Sequence, residues 1–379
     1  MAAMNRRRFL ASTAAAITAA PLLGKRPPRA HPTLDLDTLL DVTKAPGLAA
    51  KGQVGGEPFL HLAGVREVDK PDPIAAGTLF SAASLTKPVF AMEVRRLARE
   101  GKLDWHKPLQ DYLPLDLTGD AASITAEHVL THGTGLVNWR FDPKLTLASS
   151  FKPGTRWEYS GEGYVLLQRV VEKIAGRPLG MHLNETLLPR LGMTNSTFTW
   201  TPDVDRIAVS GHDNRGRLLE KSANAYARAA YDIAQKAGST SDKMTYDEII
   251  DANRKFNGFP LPVAVMPNVA GSLWTTIGDY ATFLDRSARD SAEHPDEYTP
   301  GNRVNRKISW TLSWGVDSSL DPPGYFHWGD GPGVKNFAWW QPTRKTAVVI
   351  FTNSDHGAST WRYLSRHLLG ADPLSPEWI

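Results

Sequence analysis

Residues 81–90 read Ser-Ala-Ala-Ser-Leu-Thr-Lys-Pro-Val-Phe and place a serine, Ser84, three positions before a lysine, Lys87. Positions i and i+3 lie on one face of a helix, so the two side chains are predicted to be neighbours. A lysine amine that is shielded from water has a lowered pKa, and it can then accept the proton of an adjacent hydroxyl. The stretch therefore predicts a serine nucleophile with its activating group beside it.

The sequence that follows predicts a helix that begins close to Ser84 or Leu85. Pro88 is tolerated only in the first turn of a helix, where its missing N–H would have no partner. Beyond it, apolar residues recur every three or four positions and charged residues fill the gaps, until Gly101 gives a typical C-terminal end. Ser84 is thus placed at a helix N-terminus, where capping the helix is an alternative role to catalysis.

The Ser-x-x-Lys spacing is weak support for catalysis when it stands alone. The same chain contains a second copy at Ser149 and Lys152, in a stretch that proline and glycine residues mark as a loop. Chance explains that copy. A catalytic role for Ser84 and Lys87 therefore depends on further motifs downstream.

The composition of the 379-residue chain is ordinary for a globular protein, with 41% hydrophobic and 22% charged residues. This length suits two domains or one elaborate domain. The chain contains no cysteine, which excludes disulfides, thiolate metal sites and cysteine nucleophiles.

The N-terminus has the pattern of an export signal. Three arginines at positions 6–8 precede Phe9-Leu10 and a run rich in alanine and leucine that is too short and too weakly apolar to span a membrane. Twin arginines followed by Phe-Leu resemble a twin-arginine signal. We therefore predict that residues 1–30 are a leader and that the mature chain is exported, periplasmic or extracellular, without a stable membrane span. A basic N-terminal arm is the alternative.

The charge of the chain is concentrated in this leader. The whole sequence has 43 basic and 40 acidic residues, and residues 1–30 hold six of the basic residues and none of the acidic ones, so the remaining chain has a formal net charge of −3. No basic stripe with interleaved aromatic residues is present. Nucleic acid is therefore not expected as a partner.

Strand patterns occur at both ends of the chain, and helical patterns dominate the middle. Strands are predicted at 48–54, 58–65, 312–317, 325–328, 336–341 and 346–352, and helices at 34–40, 163–174, 224–236, 246–255 and 359–369. We predict an α+β fold in which one antiparallel sheet is built from both termini and flanked by helices, beside a mostly helical lobe. A cleft between the lobes is the default site.

These patterns divide the chain into five predicted segments. They are the export signal (1–30), the N-terminal part of the α/β lobe with the Ser-x-x-Lys helix (34–104), the helical lobe (105–216), an insertion (217–256) and the C-terminal part of the α/β lobe (257–379). The insertion is polar and has no obvious place in a core. It is predicted to lie on the surface and to cover the cleft.

Three further motifs decide the functional interpretation. The stretch Pro-Gly-Thr-Arg-Trp-Glu-Tyr-Ser-Gly at 153–161 places Tyr159 just before a helix, a Thr-His-Gly element at 131–133 precedes it, and His327-Trp328-Gly329 lies on a late strand. With Ser-x-x-Lys in this order, the sequence resembles the serine β-lactamase and penicillin-binding-protein superfamily, on the branch of class C β-lactamases, D-alanyl-D-alanine carboxypeptidases and β-lactamase-like esterases. The resemblance runs from roughly residue 34 to 369 and implies a β-lactamase/transpeptidase-like fold.

The resemblance implies a role for each motif residue. Ser84 would be the acylated nucleophile, Lys87 its partner, and Tyr159 the general base that also returns a proton to the leaving group. The backbone N–H groups of Ser84 and Asp330 would hold the oxyanion, and Trp328 and Gly329 would line the substrate site beside them. A phenol titrates near 10, so Tyr159 acts as a base only if Lys87 lowers its pKa or the pair shuttles one proton. No metal and no cofactor are implied.

Two departures from the family pattern bear on the substrate. Gly161 stands where the family often has an asparagine whose amide binds a substrate amide, and His327 stands in place of the lysine of Lys-Thr-Gly. The first loses a polar contact, and the second replaces a fixed cation with a group that is mostly neutral at pH 7. Both changes favour esters or uncharged amides of small molecules over β-lactams.

Several alternatives stay open. A D-alanyl-D-alanine carboxypeptidase or class C-like β-lactamase that acts on peptides or drugs is the second enzymatic interpretation, and a non-catalytic relative that binds a ligand or partner is the third. Tyr159 and His327 could be structural residues. His128 and His132 are four residues apart on a predicted helix, but a third metal ligand is not evident.

Tryptophans flank the motifs at positions 139, 157, 274, 314 and 328. Core packing explains any one of them. We expect that at least one lines an apolar pocket at the site.

Overall fold

The computed structural model describes residues 35–140, 145–257 and 260–369. Within them the strands, in chain order, are β1 (Gly47–Val54), β2 (Glu57–Gly64), β3 (Leu79–Ser81), β4 (Leu117–Thr118), β5 (Leu147–Ala148), β6 (Trp274–Thr276), β7 (Asn302–Arg303), β8 (Ile308–Trp310), β9 (Gly315–Asp317), β10 (Gly324–Gly331), β11 (Val334–Gln341) and β12 (Thr346–Thr352). The helices are α1 (Leu36–Thr43), α2 (Thr86–Arg99), α3 (Ala126–Leu130), α4 (Gly161–Ala175), α5 (Leu179–His182), α6 (Leu188–Leu191), α7 (Pro202–Ile207), α8 (Ala223–Lys236), α9 (Tyr246–Phe256), α10 (Ile277–Glu293) and α11 (Gly357–Leu369).

Eight of these strands form one antiparallel sheet in the order β2-β1-β12-β11-β10-β9-β8-β7. The N-terminal hairpin β1–β2 joins the C-terminal strands through β12, where Ala50 pairs with Ile350. The predicted α+β fold, with one antiparallel sheet built from both ends of the sequence, is confirmed. The division into five segments stays a prediction, and the predicted leader lies outside the described residues.

Helices cover both faces of the sheet around β12. Phe337 of β11 pairs with Ile350 and stacks on Trp361 of α11 at a ring distance of 4.7 Å. Phe351 follows Ile350 in β12 and points to the opposite face of the sheet, because side chains alternate along a strand. There it contacts Tyr280 of α10 at 5.6 Å. All seven residues of β12 are consequently buried.

Most predicted strands agree with the structure to within a few residues, but the region before β10 differs. The interval 312–317 was expected to be one strand, and only Gly315–Asp317 is extended. Ser313 has a φ of 79°, and the carbonyl of Leu312 accepts a hydrogen bond from Arg95 of α2. The chain therefore turns at 312–313. Separately, the short strands β3, β6, β7 and β8 were not predicted.

The helix that carries Lys87 starts close to the predicted position. A 3-10 turn, Ala83–Leu85, holds Ser84 and passes directly into α2, whose first turn contains Pro88. Ser84 does not cap the helix, because the residue before α2 is Leu85 and it makes no side-chain capping bond. Gly101, with a φ of 68°, follows the end of α2 as predicted.

The predicted surface insertion contributes to a small hydrophobic core, which corrects the expectation that it has no place in one. Buried residues of α8 and α9 pack together with Val165 of α4 and with Val263 and Met266. Both helices are amphipathic, and each is capped by a hydroxyl residue, Ser222 for α8 and Thr245 for α9. Polar residues on the outer faces of these helices concealed the apolar faces in the sequence.

No helix in the described ranges combines the length and the apolar composition that a bilayer crossing requires.

The Phe351→Ala variant tests the sheet assignment. Phe351 is fully buried against Phe80 and Tyr280, so its truncation should lower the free energy of unfolding by about 3–5 kcal/mol. Denaturant titration measures this loss. Tyr363→Ala, at an exposed position of α11, is the matched control and should change the value by less than about 0.5 kcal/mol. Equal effects of the two substitutions would contradict the packing described.

Candidate active site

Ser84 is presented by a tight turn, which we call the serine turn (residues 82–85). Strand β3 ends at Ser81, and the Ala82 N–H donates to the Leu273 carbonyl at 2.8 Å. Ala83 has a φ of 47°, a left-handed conformation that L-residues rarely adopt. Such strain is typical of functional turns. It allows the chain to reverse sharply from strand to helix and leaves Ser84 on the wall of a cleft.

Lys87 reaches Ser84 from the first turn of α2, as the spacing predicted. Its Nζ lies 3.0 Å from Ser84 Oγ and donates to the carbonyl of Ala270 at 2.8 Å. The side chain is almost completely buried. Burial lowers the pKa of Lys87 well below its usual range, which favours the neutral amine that can accept a proton.

Tyr159 faces the same lysine from the segment before α4. Lys87 Nζ lies 4.9 Å from the centre of its ring. Burial raises the pKa of Tyr159 above its usual value, and the nearby Ser84 hydroxyl, which lowers it, has the weaker effect. The phenol is therefore held in its protonated form. The structure does bring Ser84, Lys87 and Tyr159 together. Because the pKa of Lys87 is lowered and that of Tyr159 is raised, Lys87 is favoured over Tyr159 as the first proton acceptor.

His132 is a site residue that the sequence analysis did not assign. It is fully buried, and its ring lies 4.2 Å from the Tyr159 ring at an angle of 30°. Its Nδ1 accepts a hydrogen bond from the Ser160 N–H at 3.2 Å. Burial and the charge of Lys87 hold the pKa of His132 well below its usual range. The neutral imidazole thus fixes the backbone next to Tyr159, and the Thr-His-Gly element was the only sequence signal for it.

The expectation that His128 and His132 share a helix is wrong. Helix α3 ends at Leu130, and His132 has a φ of 53°. His128 completes the cap of that helix by accepting from the Thr125 N–H. The described ranges hold no group of three metal-ligating side chains.

His327 lies on β10 and is fully buried. Its Nδ1 is 2.8 Å from the carbonyl oxygen of Trp328. Burial, together with the charge of Lys87, lowers the pKa of His327 to about 3. At neutral pH the ring is uncharged, so it cannot supply the cation of the lysine that it replaces.

Strand β10 approaches the serine turn at Gly329. A Cβ at this position would lie 2.3 Å from the Ala82 carbonyl oxygen, so no other residue fits. The next residue, Asp330, pairs with Lys335, one step from the hairpin end at Gly331 and Val334. Hydrogen-bonded pairs alternate in an antiparallel hairpin, which directs the N–H of Asp330 away from β11, to the side where the serine turn lies. This orientation is compatible with the oxyanion role that the resemblance implied for Asp330.

The cleft in front of Ser84 has a volume of about 270 Å³. Its walls are mainly apolar, and its described lining residues are Ser81, Ala83, Ser84, Trp139, Phe198, Trp200, Ala223, Tyr226, Ala227, Ser241, Ala264, Val265, Pro267, Ala270, Gly271, Ser272, Trp274, Asp330, Gly331 and Pro332. Asp330 is the one charged residue in this set. None of these lining residues is basic.

Two of the five tryptophans line this cleft, Trp139 and Trp274, which confirms the expectation that at least one does. Trp314 is a fully buried core residue instead. Trp157 and Trp328 contact the Tyr159 ring at 6.4 and 5.4 Å. Helix α8 of the predicted insertion supplies Ala223, Tyr226 and Ala227 to the cleft wall, so this segment does border the site.

Comparison with known proteins agrees with this geometry. The sequence model of the Beta-lactamase family matches residues 36–371. The chain belongs to the Beta-lactamase family. This confirms the resemblance that the motifs indicated.

The relatives that match this chain are named for different activities. The chain is 31% identical to esterase EstB of Burkholderia gladioli over 183 residues, which are 40% of this chain and 46% of the esterase. It is 28% identical to a β-lactamase of Pseudomonas fluorescens over 199 residues, 49% of this chain and 54% of that protein. The chain thus spans about half the length of these relatives.

Among solved structures, the D-alanine carboxypeptidase AmpC of Burkholderia cenocepacia superposes with a TM-score of 0.67. The sequence identity is 17%, and the match covers 88% of this chain and 96% of the carboxypeptidase. At this identity the likeness shows the fold. It agrees with the β-lactamase/transpeptidase-like architecture predicted from the motifs.

The rate at which a fluorophosphonate labels Ser84 tests the role of Lys87. Only the neutral amine accepts a proton, so the rate should rise with pH and level off well below the ordinary lysine value of 10.5. Lys87→Arg keeps a permanent charge and should label about 100-fold more slowly or worse, without the rise.

Lys152→Arg is the matched control, since it changes the exposed lysine of the second Ser-x-x-Lys copy. It should leave both rate and pH profile unchanged. A rate that climbs only near pH 10.5 in the wild type would contradict a lowered pKa of Lys87.

Proposed function

We propose that this chain is a serine hydrolase that forms an acyl-enzyme on Ser84 with uncharged esters of small molecules, and with related uncharged amides. The observation that carries the proposal is the 3.0 Å contact between Ser84 Oγ and the buried amine of Lys87 at the wall of an apolar cleft. A nucleophile with an adjacent neutral base and two backbone donors is the arrangement that acyl transfer requires.

The proposed reaction begins with Lys87. Its Nζ takes the Ser84 proton while Oγ bonds to the ester carbonyl carbon, and the carbonyl oxygen becomes an oxyanion that the N–H groups of Ser84 and Asp330 stabilise. Each such donor is worth about 3 kcal/mol of barrier. The intermediate collapses with cleavage of the bond to the alcohol oxygen, which leaves an acyl-Ser84 ester.

Tyr159 is proposed to deliver the proton to the departing alcohol and to recover one from Lys87. This uses the protonated phenol that burial favours. Water then attacks the acyl-enzyme while Lys87 again accepts a proton. The bond between the acyl carbon and Ser84 Oγ breaks, Lys87 returns that proton to Oγ, and the carboxylic acid is released. Tyr159 as the first general base, which the family resemblance implied, requires a lowered phenol pKa. The described environment shifts that pKa the other way.

Charge argues for neutral substrates. His327 is uncharged at neutral pH, and the lining set of the cleft contains the Asp330 carboxylate but no basic side chain. Lys335 lies 2.7 Å from that carboxylate and neutralises it in part. Substrates with a free carboxylate, such as β-lactams and peptides that end in D-alanine, gain no ion pair here. The similarity to an esterase supports the same choice.

A D-alanyl-D-alanine carboxypeptidase or β-lactamase is the second candidate, supported by the names of the β-lactamase relative and of the carboxypeptidase that shares the fold. A non-catalytic relative is the third. In both of these candidates the cleft would bind a ligand. They differ from the first proposal in which compound reacts with Ser84.

Turnover of p-nitrophenyl butyrate, compared with a chromogenic cephalosporin, tests the proposal. The leader-free protein should cleave the ester, and its kcat/KM for the cephalosporin should be at least about 100-fold lower, since no cation binds the carboxylate. Ser84→Ala should lose at least about 1,000-fold on the ester. Ser149→Ala, in the second copy of the motif, is the control with unchanged turnover.

Preference for the cephalosporin would establish the second candidate in place of the first. Absence of turnover together with absence of Ser84 labelling would establish the non-catalytic candidate.

We further propose that residues 1–30 direct export through the twin-arginine route, on the support of the Arg-Arg-x-Phe-Leu pattern. Replacement of Arg6, Arg7 and Arg8 by lysine keeps the charge and should retain the protein in the cytoplasm of a host with this pathway. Cell fractionation measures the distribution. Equal export of the lysine variant would refute this route.

A further inference from the structure

We infer that Trp139 is a specificity-determining residue that makes an apolar wall for the acyl group of the substrate, and that Gly161 is present because the indole occupies the space of a side chain at that position. The inference rests on the proposed acyl transfer at Ser84. It explains together two features that are separate in the sequence: Trp139, and the glycine at position 161 where the family often has an asparagine.

The contact between the two residues is very close. A Cβ built on Gly161 would lie 2.3 Å from Cζ2 of Trp139 and 2.6 Å from its Cε2 and Cη2. Carbon atoms do not approach each other to this distance without bonding. Any side chain at 161, asparagine included, would therefore displace the indole.

The backbone on both sides of Trp139 is held in place, so the indole cannot move away from residue 161 through a shift of its own main chain. The Gly161 N–H donates to Asn138 Oδ1 at 2.9 Å, and the Glu162 N–H donates to the Asn138 carbonyl at 3.0 Å. On the other side the Arg140 N–H donates to Glu162 Oε1 at 3.0 Å. These bonds fasten residues 138–140 to the first turn of α4.

The side chain of Trp139 links two apolar environments. It packs against the core of the predicted insertion, which contains Val165 and Ile233, and it also lines the cleft that holds Ser84. Its neighbour Gly161 is two residues from Tyr159. The indole therefore stands where a polar side chain at 161 would otherwise face the substrate.

This arrangement selects a chemical class of acyl group. An asparagine amide at 161 would hydrogen-bond an amide in the acyl portion of a substrate, whereas the indole face offers apolar contact and no acceptor. The structure thus favours short unbranched aliphatic acyl groups over acyl groups that contain an amide. The loss of the polar group and the gain of the ring are one coupled change.

Four proteins test the coupling: the wild type, Trp139→Ala, Gly161→Asn and the double variant. The substrates are p-nitrophenyl butyrate, p-nitrophenyl octanoate and the p-nitrophenyl ester of N-acetylglycine. Trp139→Ala should lower kcat/KM for butyrate by about tenfold through lost apolar contact and should leave the octanoate value equal or higher. Gly161→Asn alone should be impaired on all three esters.

The double variant is decisive. Removal of the indole makes room for the amide, so it should recover activity relative to Gly161→Asn and should shift the preference for N-acetylglycine over butyrate by about tenfold compared with the wild type. If the double variant shows no recovery, and its loss of kcat/KM equals the product of the losses in the two single variants, the inference is overturned. An equal effect of Trp139→Ala on all three acyl groups would overturn it as well.

Thermal unfolding separates this inference from the proposed function, because it needs no turnover. Gly161→Ala should lower Tm by several degrees when Trp139 is present and have little effect in the Trp139→Ala background. If Ser84 hydrolyses none of the esters but this coupling is observed, the proposed function fails and the steric relationship stands. If the esters are hydrolysed but Gly161→Ala has equal effects in both backgrounds, the inference fails on its own.

Discussion

The close approach of β10 to the serine turn is the constraint on which the site depends. Gly329 allows the strand to lie against the Ala82 carbonyl, and a single methyl group there would separate the two elements. One contributes Ser84 and the other the N–H of Asp330. The proposed nucleophile and the proposed oxyanion donor come from positions almost 250 residues apart in sequence, so the proposed reaction depends on the antiparallel sheet that unites the two ends of the described chain.

Burial, in place of ion pairing, sets the protonation states around Ser84. Lys87, His132 and His327 are all shielded from water, and each has a pKa lowered chiefly by that shielding. A carboxylate beside Lys87 would have stabilised the charged form of its amine, which cannot accept a proton. The site is consequently almost free of fixed charge, and the apolar walls of the cleft continue the same environment outward.

Local patterns predicted the parts of this site that are close in sequence. Ser84 with Lys87, and Tyr159 before α4, follow from spacing and from the order of motifs, and strands β10 to β12 follow from alternation. The packing of Trp139 on Gly161, the stacking of His132 on Tyr159 and the turn at Ser313 depend on contacts between distant segments, which periodicity does not reveal. The core of α8 and α9 was missed for a related reason, since half of each helix surface is polar.

The helices α8 and α9 share a small core with Val165 of α4, and α8 also supplies Ala223, Tyr226 and Ala227 to the wall of the cleft. These helices contact α4 and the Trp139 ring on one side, and α8 packs against Leu79, Trp200 and Trp274 on the other. The wall is therefore coupled to the elements that carry Ser84. Leu79 and Trp274 lie on the paired strands β3 and β6 beside the serine turn, so a substitution in this wall can alter the position of Ser84 as well as the shape of the cleft. The binding surface and the serine turn are therefore expected to change together during evolution.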